Sequence, residues 1–173
     1  DVGDIHKKLR GFKYITEIDL RKGFNQFTIA EADQVKTTFT WQGRKRMFRG
    51  APFGLKPLSQ VFQGVIEQIL SEVRDFATPF IDNIYVHTST NMEDHAEQVS
   101  KVLQILNKWN LRINKTKCFF GYTAVNVLGH LVSGSTKQPD PAKKLTALEW
   151  PTPRTGKDIE RFLGFTNYLR EHI

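Results

Sequence analysis

Thiols are almost missing from this chain. One cysteine, Cys118, excludes an internal disulfide and any zinc site built on paired thiolates, and it fits an intracellular, reducing setting, cytoplasm or nucleus. No apolar run approaches the length needed to cross a bilayer, so no membrane partner is expected. Asp1-Val2-Gly3-Asp4 lacks the features of a signal peptide, and these residues read as the middle of a helix-turn-strand passage, as if cut from something longer. Internal repeats and low-complexity tracts are absent. Acidic residues are the minority charge: 18 Asp and Glu face 25 Lys and Arg, a formal net charge of +7. That sign favours polyanionic partners, nucleic acid above all, although a generally basic surface gives the same sum. Arg44, Lys45, Arg46 and Arg49 crowd one short segment, and Lys115 and Lys117 another.

What is present suffices for one substantial domain with a small appendage: 173 residues, 39% hydrophobic and 12% aromatic. Asp4 to Leu9 predicts a short helix with Ile5 and Leu9 on one face. Tyr14 to Ile18 reads as a strand that delivers Asp19 at its end. Gln26 to Ile29 reads as a second strand, and Thr37–Trp41 with Lys45–Phe48 as a hairpin about Gln42-Gly43. Gly50 to Gly54 is a loop. The apolar positions Val61, Phe62, Val65, Ile66, Ile69 and Leu70 recur at three and four, an amphipathic helix from Leu58 to about Val73. Asn91 to Trp109 predicts a longer helix with Ala96, Val99, Leu103 and Leu106 inward. Short strands follow from Ile113 through Phe119-Phe120 and from Val125 to Val132, broken at Gly121 and Gly129. Pro139 and Pro141 mark a linker into a helix from Ala142 to Glu149, and a last helix runs from about Gly156 to Leu169.

Between the two long helices lies Thr78-Pro79-Phe80-Ile81-Asp82-Asn83-Ile84-Tyr85-Val86, two β-prone runs meeting head to head at Asp82-Asn83. The pattern predicts a tight hairpin whose turn is held against the body of the protein by its apolar flanks. A carboxylate there is costly unless something ionic compensates it, and a bound metal ion is one such partner. An ordinary surface hairpin would have the same turn residues. The mixed order of elements argues for an α+β fold, with helices packed on one face of a mostly antiparallel sheet. If the strands ending at Asp19 and bearing Asp82 are neighbours, two carboxylates converge at one edge of that sheet. Paired carboxylates are how proteins hold Mg²⁺ for two-metal phosphoryl transfer.

Several motifs together carry a resemblance. Glu17-Ile18-Asp19-Leu20-Arg21-Lys22-Gly23-Phe24-Asn25-Gln26 resembles the first aspartate motif of reverse transcriptases from gypsy-type LTR retrotransposons (metaviruses). Ala51-Pro52-Phe53-Gly54-Leu55, followed by Val61-Phe62-Gln63, is similar to their template and nucleotide loop. Phe80-Ile81-Asp82-Asn83-Ile84 is similar to their aromatic-x-Asp-Asp hairpin, and Leu128-Gly129-His130 to their primer grip. Trp150-Pro151-Thr152-Pro153 with the run from Phe162 to Arg170 resembles the start of their thumb. The resemblance implies a polymerase palm with partial fingers over residues 1–134, and a connection with the first thumb helices over 135–173.

It also implies roles. Asp19 and Asp82 would bind Mg²⁺ or Mn²⁺, and Asp19, Asp82, Asn83 and Lys117 would form the catalytic group, Lys117 as general acid at the leaving pyrophosphate. Phe24 would exclude a ribose 2′-OH by steric clash, with Gln26, Phe53 and Gly54 also at the nucleotide. Gly129 and His130 would hold the primer end, and Arg44, Lys45, Arg46 and Arg49 would contact phosphates. The alternatives are a core phenylalanine at 24, a solvated lysine at 117, a structural turn with an exposed histidine at 130, and a plain charged hairpin. The implied partners are an RNA or DNA template with primer and deoxynucleoside triphosphates, and a homo-oligomer stays open.

Three departures qualify the expected activity. Asn83 stands where these enzymes carry a second Asp, which removes one negative charge beside two divalent cations while leaving the shape of the turn. Leu58, in Lys56-Pro57-Leu58-Ser59, replaces a small residue and would crowd the incoming base. Much of the fingers, together with protease, RNase H and integrase regions, would lie outside this chain. The expectation is a Pol-polyprotein reverse transcriptase domain with impaired nucleotidyl transfer. The alternatives are a catalytically inactive relative that binds nucleic acid or a protein, and a purely structural interaction module.

Overall fold

Strand β1 (Tyr14–Asp19) sits inside a four-stranded antiparallel sheet and organises the elements around it. The computed structural model describes residue 5 and residues 7–168, without the side chain of Tyr168. Asp4, Leu169 and Arg170, which the sequence reading used, lie outside that set. Contacts divide the chain into two compact units, Phe12–Tyr122 and the first eleven residues together with Thr123 onward.

In the first unit the sheet order is β4 (Ala77–Phe80), β5 (Asn83–Thr88), β1, β6 (Phe119–Tyr122). Alternation along β1 sends Ile18 and Leu20 into a core shared with Ile84 and Val86 of β5. Two helices close that face. Helix α2 (Leu58–Ile69) contributes Phe62, Ile66 and Ile69, and α3 (Met92–Lys108) contributes Val99, Val102 and Leu106. The expected inward set needs correction, because Val61 is 59% exposed and Ala96 is exposed while His95 is buried. The α3 stripe runs 95, 99, 102, 106 and so follows its own helical period. Asn91 caps α3 by accepting from the Asp94 N–H at 2.8 Å. A 3-10 turn, Ser71–Val73, finishes the segment expected as the end of α2.

The strand expected at residues 26–29 does not form. A 3-10 turn occupies Gly23–Gln26, and Thr28 makes only one bridge, to Gly50. The Gln26 side chain instead pairs with the Arg112 peptide, donating to its carbonyl at 3.0 Å and accepting from its N–H at 2.6 Å. A short helix α1 (Glu31–Gln34) leads to the hairpin β2 (Phe39–Trp41) and β3 (Arg44–Arg46). Its two-residue loop has Gln42 at φ 51° and Gly43 at φ 71°, the positive pair that a twisted hairpin needs. Gly121, expected as a break, lies inside β6 at φ 68°, where the pairing with β1 shifts register.

The second unit holds a three-stranded antiparallel sheet, β7 (Ala124–Val127), β8 (His130–Ser133) and β9 (Lys137–Pro139). β9 occupies part of the expected linker. Asp140 then caps α4 (Pro141–Leu148) by accepting from the Ala142 N–H at 2.9 Å, with Pro141 in the first turn. In α5 (Gly156–Tyr168), Phe165 stacks on Trp150 at 4.8 Å. Residues 5, 7 and 8 are helical, and both Ile5 and Leu9 are buried as expected.

Candidate active site

Register brings the two aspartate motifs together. β1 and β5 pair antiparallel with Asp19 opposite Asn83 and Glu17 opposite Tyr85. The Leu20 N–H donates to the Asp82 carbonyl at 2.7 Å, so the hairpin tip lies against the end of β1. Glu17 and Asp19 share the face opposite the helices, being two apart in one strand. From the other side, the Asn114 N–H donates to the Asp19 carbonyl at 2.8 Å and Leu20 bridges to Ile113. Those bonds anchor the turn that carries Lys117.

The hairpin differs from its expected form by one residue. Phe80 pairs with Asn83, so the loop is Ile81-Asp82, and Asn83 is the first residue of β5. Ile81 consequently adopts φ 51°, a left-handed backbone that strains a β-branched residue by about 1–3 kcal/mol. Gln63 of α2 holds it there. Its Oε1 accepts from the Ile81 N–H at 2.8 Å, and its Nε2 donates to the Pro79 carbonyl at 2.9 Å and to Glu67 Oε1 at 2.8 Å. Sequence reasoning gave Gln63 no such role. The available signal was an amide beside the apolar stripe of the helix that precedes the hairpin.

Asp82 is the electrostatic focus. Its Oδ1 is buried and has no hydrogen-bond partner. A methyl group at Gly23 would meet that oxygen at 2.1 Å, so only glycine allows the first motif to pack so closely on the hairpin. Burial pushes the Asp82 carboxyl above the usual range, the Asp19 charge adds to the rise, and the Lys117 ammonium opposes it. Glu17 is likewise raised by burial, with the Tyr85 hydroxyl lowering it and Asp19 raising it. The Tyr85 phenol is raised by burial and by Glu17. It donates to Glu17 Oε1 at 3.4 Å and accepts from Asn83 Nδ2 at 3.5 Å, both long. Among the described residues, no group of three or more His, Cys, Asp or Glu side chains forms a metal cage. A hard divalent ion such as Mg²⁺ does not need one, since it binds through one or two carboxylates and keeps its remaining places for water and phosphate. The orphaned Asp82 oxygen beside Asp19, with the Asn83 amide next to it, fits that donor set.

Phe24 is buried and makes edge contacts with Phe53 at 5.4 Å and Phe62 at 4.8 Å. Phe53 is 65% exposed, which leaves this aromatic wall open to solvent. Gly54 stands at φ 92° with open space around it, so its own backbone is what requires glycine in this structure. Leu58 opens α2 and packs, partly buried, against the core. Arg44, Lys45, Arg46 and Arg49 are exposed on and beside the β2–β3 hairpin, among exposed Phe39, Trp41 and Phe48. Gly129 lies in the second unit, in the β7–β8 turn at φ 76°. His130, next to it, is 6% exposed, which corrects the alternative of an exposed histidine.

Likeness to solved structures sets the class. The chain superposes on a foamy viral protease-reverse transcriptase in complex with double-stranded DNA with a TM-score of 0.91 and 25% identity, covering 98% of this chain and 30% of that one. A foamy viral protease-reverse transcriptase in complex with an RNA/DNA hybrid matches with a TM-score of 0.84 and 25% identity, over 95% of this chain and 23% of that one. The fold is a partial, palm-like reverse transcriptase fold. The profile of the reverse transcriptase (RNA-dependent DNA polymerase) family matches residues 3–132. The chain is 36% identical over 174 residues to the Pol polyprotein of the Drosophila melanogaster transposon opus, covering all of this chain and 17% of that protein. With the gypsy Pol polyprotein of the same species it shares 33% over 162 residues, 93% of this chain and 16% of that protein. The chain belongs to the reverse transcriptase family, as a domain of the retrotransposon Pol type with gypsy-type relatives. Family membership implies dependence on divalent metal in general.

Proposed function

We propose that this domain carries the palm chemistry of an RNA-directed DNA polymerase, weakened by Asn83. The observation that supports it is the buried, unpartnered Asp82 Oδ1 beside Asp19. Asp19 and Asp82 would hold Mg²⁺ or Mn²⁺, with the Asn83 carbonyl oxygen as a neutral third donor. When bound, the ions lower the pKa of the attacking hydroxyl and offset charge on the leaving oxygens. Everything else falls to the chain's own groups. Gln63 and the Leu20 N–H fix the height of the Asp82 carboxylate. Phe24, braced by Phe62, would be the ring that excludes a ribose 2′-OH. The Lys117 ammonium acts on Asp82 electrostatically, which supports reading it as the proton donor to the leaving diphosphate. The cations of the β2–β3 hairpin hold template phosphates, while Phe39, Trp41 and Phe48 offer faces for unpaired bases. Gly129 and His130 take the primer strand on the family resemblance.

Asn83 favours a second reading, a palm that binds primer-template without extending it. Extension of a primed template in Mg²⁺ by this chain and by Asn83→Asp separates the two. Restoring the carboxylate raises the rate at least about a hundredfold, because a ligand charge at the reacting phosphate contributes several kcal/mol to transition-state stabilisation. Equal rates remove the claim that Asn83 is what limits this chain.

A further inference from the structure

Four side chains form a block on the face of the sheet opposite the helices. β1 supplies Glu17 and Asp19, and β5 supplies Tyr85 and Asn83 opposite them. Residues paired directly in antiparallel strands send their side chains to one face. Asp19 and Asn83 belong to the function proposed above, whereas Glu17 and Tyr85 have no part in it. Tyr85 is 1% exposed, and a buried phenol needs a partner for its O–H. That partner is Glu17, a half-buried carboxylate.

The far end of this chain of bonds fixes the order of its protons. A carboxylate accepts and cannot donate, so the Tyr85 hydroxyl directs its proton to Glu17 Oε1. Only lone pairs of the phenol oxygen then face Asn83, and they accept from its Nδ2 amino group. Turning the amide over would set its oxygen against those lone pairs. The Asn83 carbonyl oxygen is therefore directed away from Tyr85. The two bonds are long, 3.4 and 3.5 Å, as bonds around a reacting centre often are before its ligands tighten it.

We propose that Glu17 and Tyr85 are positioning residues that keep the Asn83 amide oxygen turned to the divalent cation of Asp19 and Asp82, a cation that rests on the function proposed above. A carboxylate at 83 has two equivalent oxygens and offers one whichever way it turns. An amide has a single oxygen, and a flip would present the N–H₂ donors to the cation instead. The Glu17–Tyr85 pair is therefore matched to an amide at this position, and Asn83 is a fitted part of the site. Glu17 is not itself the third ligand. Among the described residues no cage of three such side chains forms, and its Oε1 is engaged by Tyr85.

Mn²⁺ alone, titrated into the full chain and followed by loss of its free electron paramagnetic resonance signal, tests this. With Asn83 in place, Tyr85→Phe weakens Mn²⁺ binding about fivefold, the effect of one lost orienting hydrogen bond. In the Asn83→Asp background the same substitution changes it less than about twofold, because no amide is left to orient. Glu17→Gln removes a nearby charge in both backgrounds, so the informative quantity is the excess loss with Asn83, again about fivefold. The exposed control Tyr122→Phe stays within about twofold. A second readout needs no metal. In isotope-labelled protein, the side-chain N–H₂ resonances of Asn83 move in Tyr85→Phe and in Glu17→Gln and hold in Tyr122→Phe. Equal loss in the two backgrounds, no loss in either, or unmoved Asn83 resonances overturns the proposal, and so does absence of saturable Mn²⁺ binding. Both readouts are made without turnover, so failure of Asn83→Asp to extend a primer overturns the polymerase reading and leaves these results standing.

Discussion

Two polar side chains define this palm at the residue scale, one on each face of its sheet. Asn83 has the outline of a carboxylate without its charge, so on the function proposed above its cost would be felt only with divalent cations present. His95 works on the opposite face, 2% exposed, with Nε2 at 2.8 Å from Thr16 Oγ1 and Nδ1 at 2.8 Å from Thr88 Oγ1. Thr88 Oγ1 in turn donates to Gln98, and Thr16 Oγ1 accepts from the Gly121 N–H at 3.0 Å. One ordering satisfies every donor: Thr16 donates to Nε2, and a proton on Nδ1 goes to Thr88, so the imidazole is neutral. Burial lowers its pKa accordingly. A histidine kept neutral by folding contributes stability fully above its unfolded value, and that contribution is lost as pH falls toward the folded value. Urea midpoints should therefore decline below about pH 6.5, by up to about 1.4 kcal/mol per pH unit for one linked proton. His95→Asn, which keeps a donor toward Thr88, should flatten that decline. An unchanged slope would mean that other groups drive it.

At the scale of elements, the β4–β5 hairpin depends on α2 for its geometry. Removing the Gln63 amide frees the Ile81 N–H and the Pro79 carbonyl and leaves the left-handed turn unsupported. In the Asn83→Asp background, Gln63→Ala should lower kcat about tenfold and stability by about 1–2 kcal/mol, with nucleotide KM little changed. A normal kcat would show that the turn holds its own shape. What the sequence made legible here was local. Alternating residues marked β1, Gln42-Gly43 marked a hairpin turn, Asn91 marked a helix start, and the motif order carried Asp19 and Asp82 to one site. Contacts distant in sequence stayed hidden. Gln26 reads as strand because its partner, the Arg112 peptide, lies 86 residues away. The one-residue shift of the hairpin loop follows from Gln63 and from Leu20, neither of which is in the hairpin. His95 sits on the α3 stripe, but a polar residue there shows as buried only once Thr16 and Thr88 surround it.

For the whole molecule, the net charge of +7 is the term that acts over distance. Binding to primer-template should weaken steeply with salt, the log–log slope changing by about 0.9 for each phosphate contact. Replacing Arg44, Lys45, Arg46 and Arg49 by Gln should make that slope shallower by about 0.9 for each of the four that engages duplex phosphate. A slope left intact would move the contact surface elsewhere.

The strand order has a consequence for motion. Asp19 ends β1, which has a paired strand on each side, and Asn83 begins β5, which does too, whereas β2 and β3 have only each other. In deuterium exchange, the amides of β1 and β5 should be the last to take up label and those of the Arg-rich ribbon among the first. The reactive end of the domain would then be its stiffest part, and the piece that greets the substrate its most pliable.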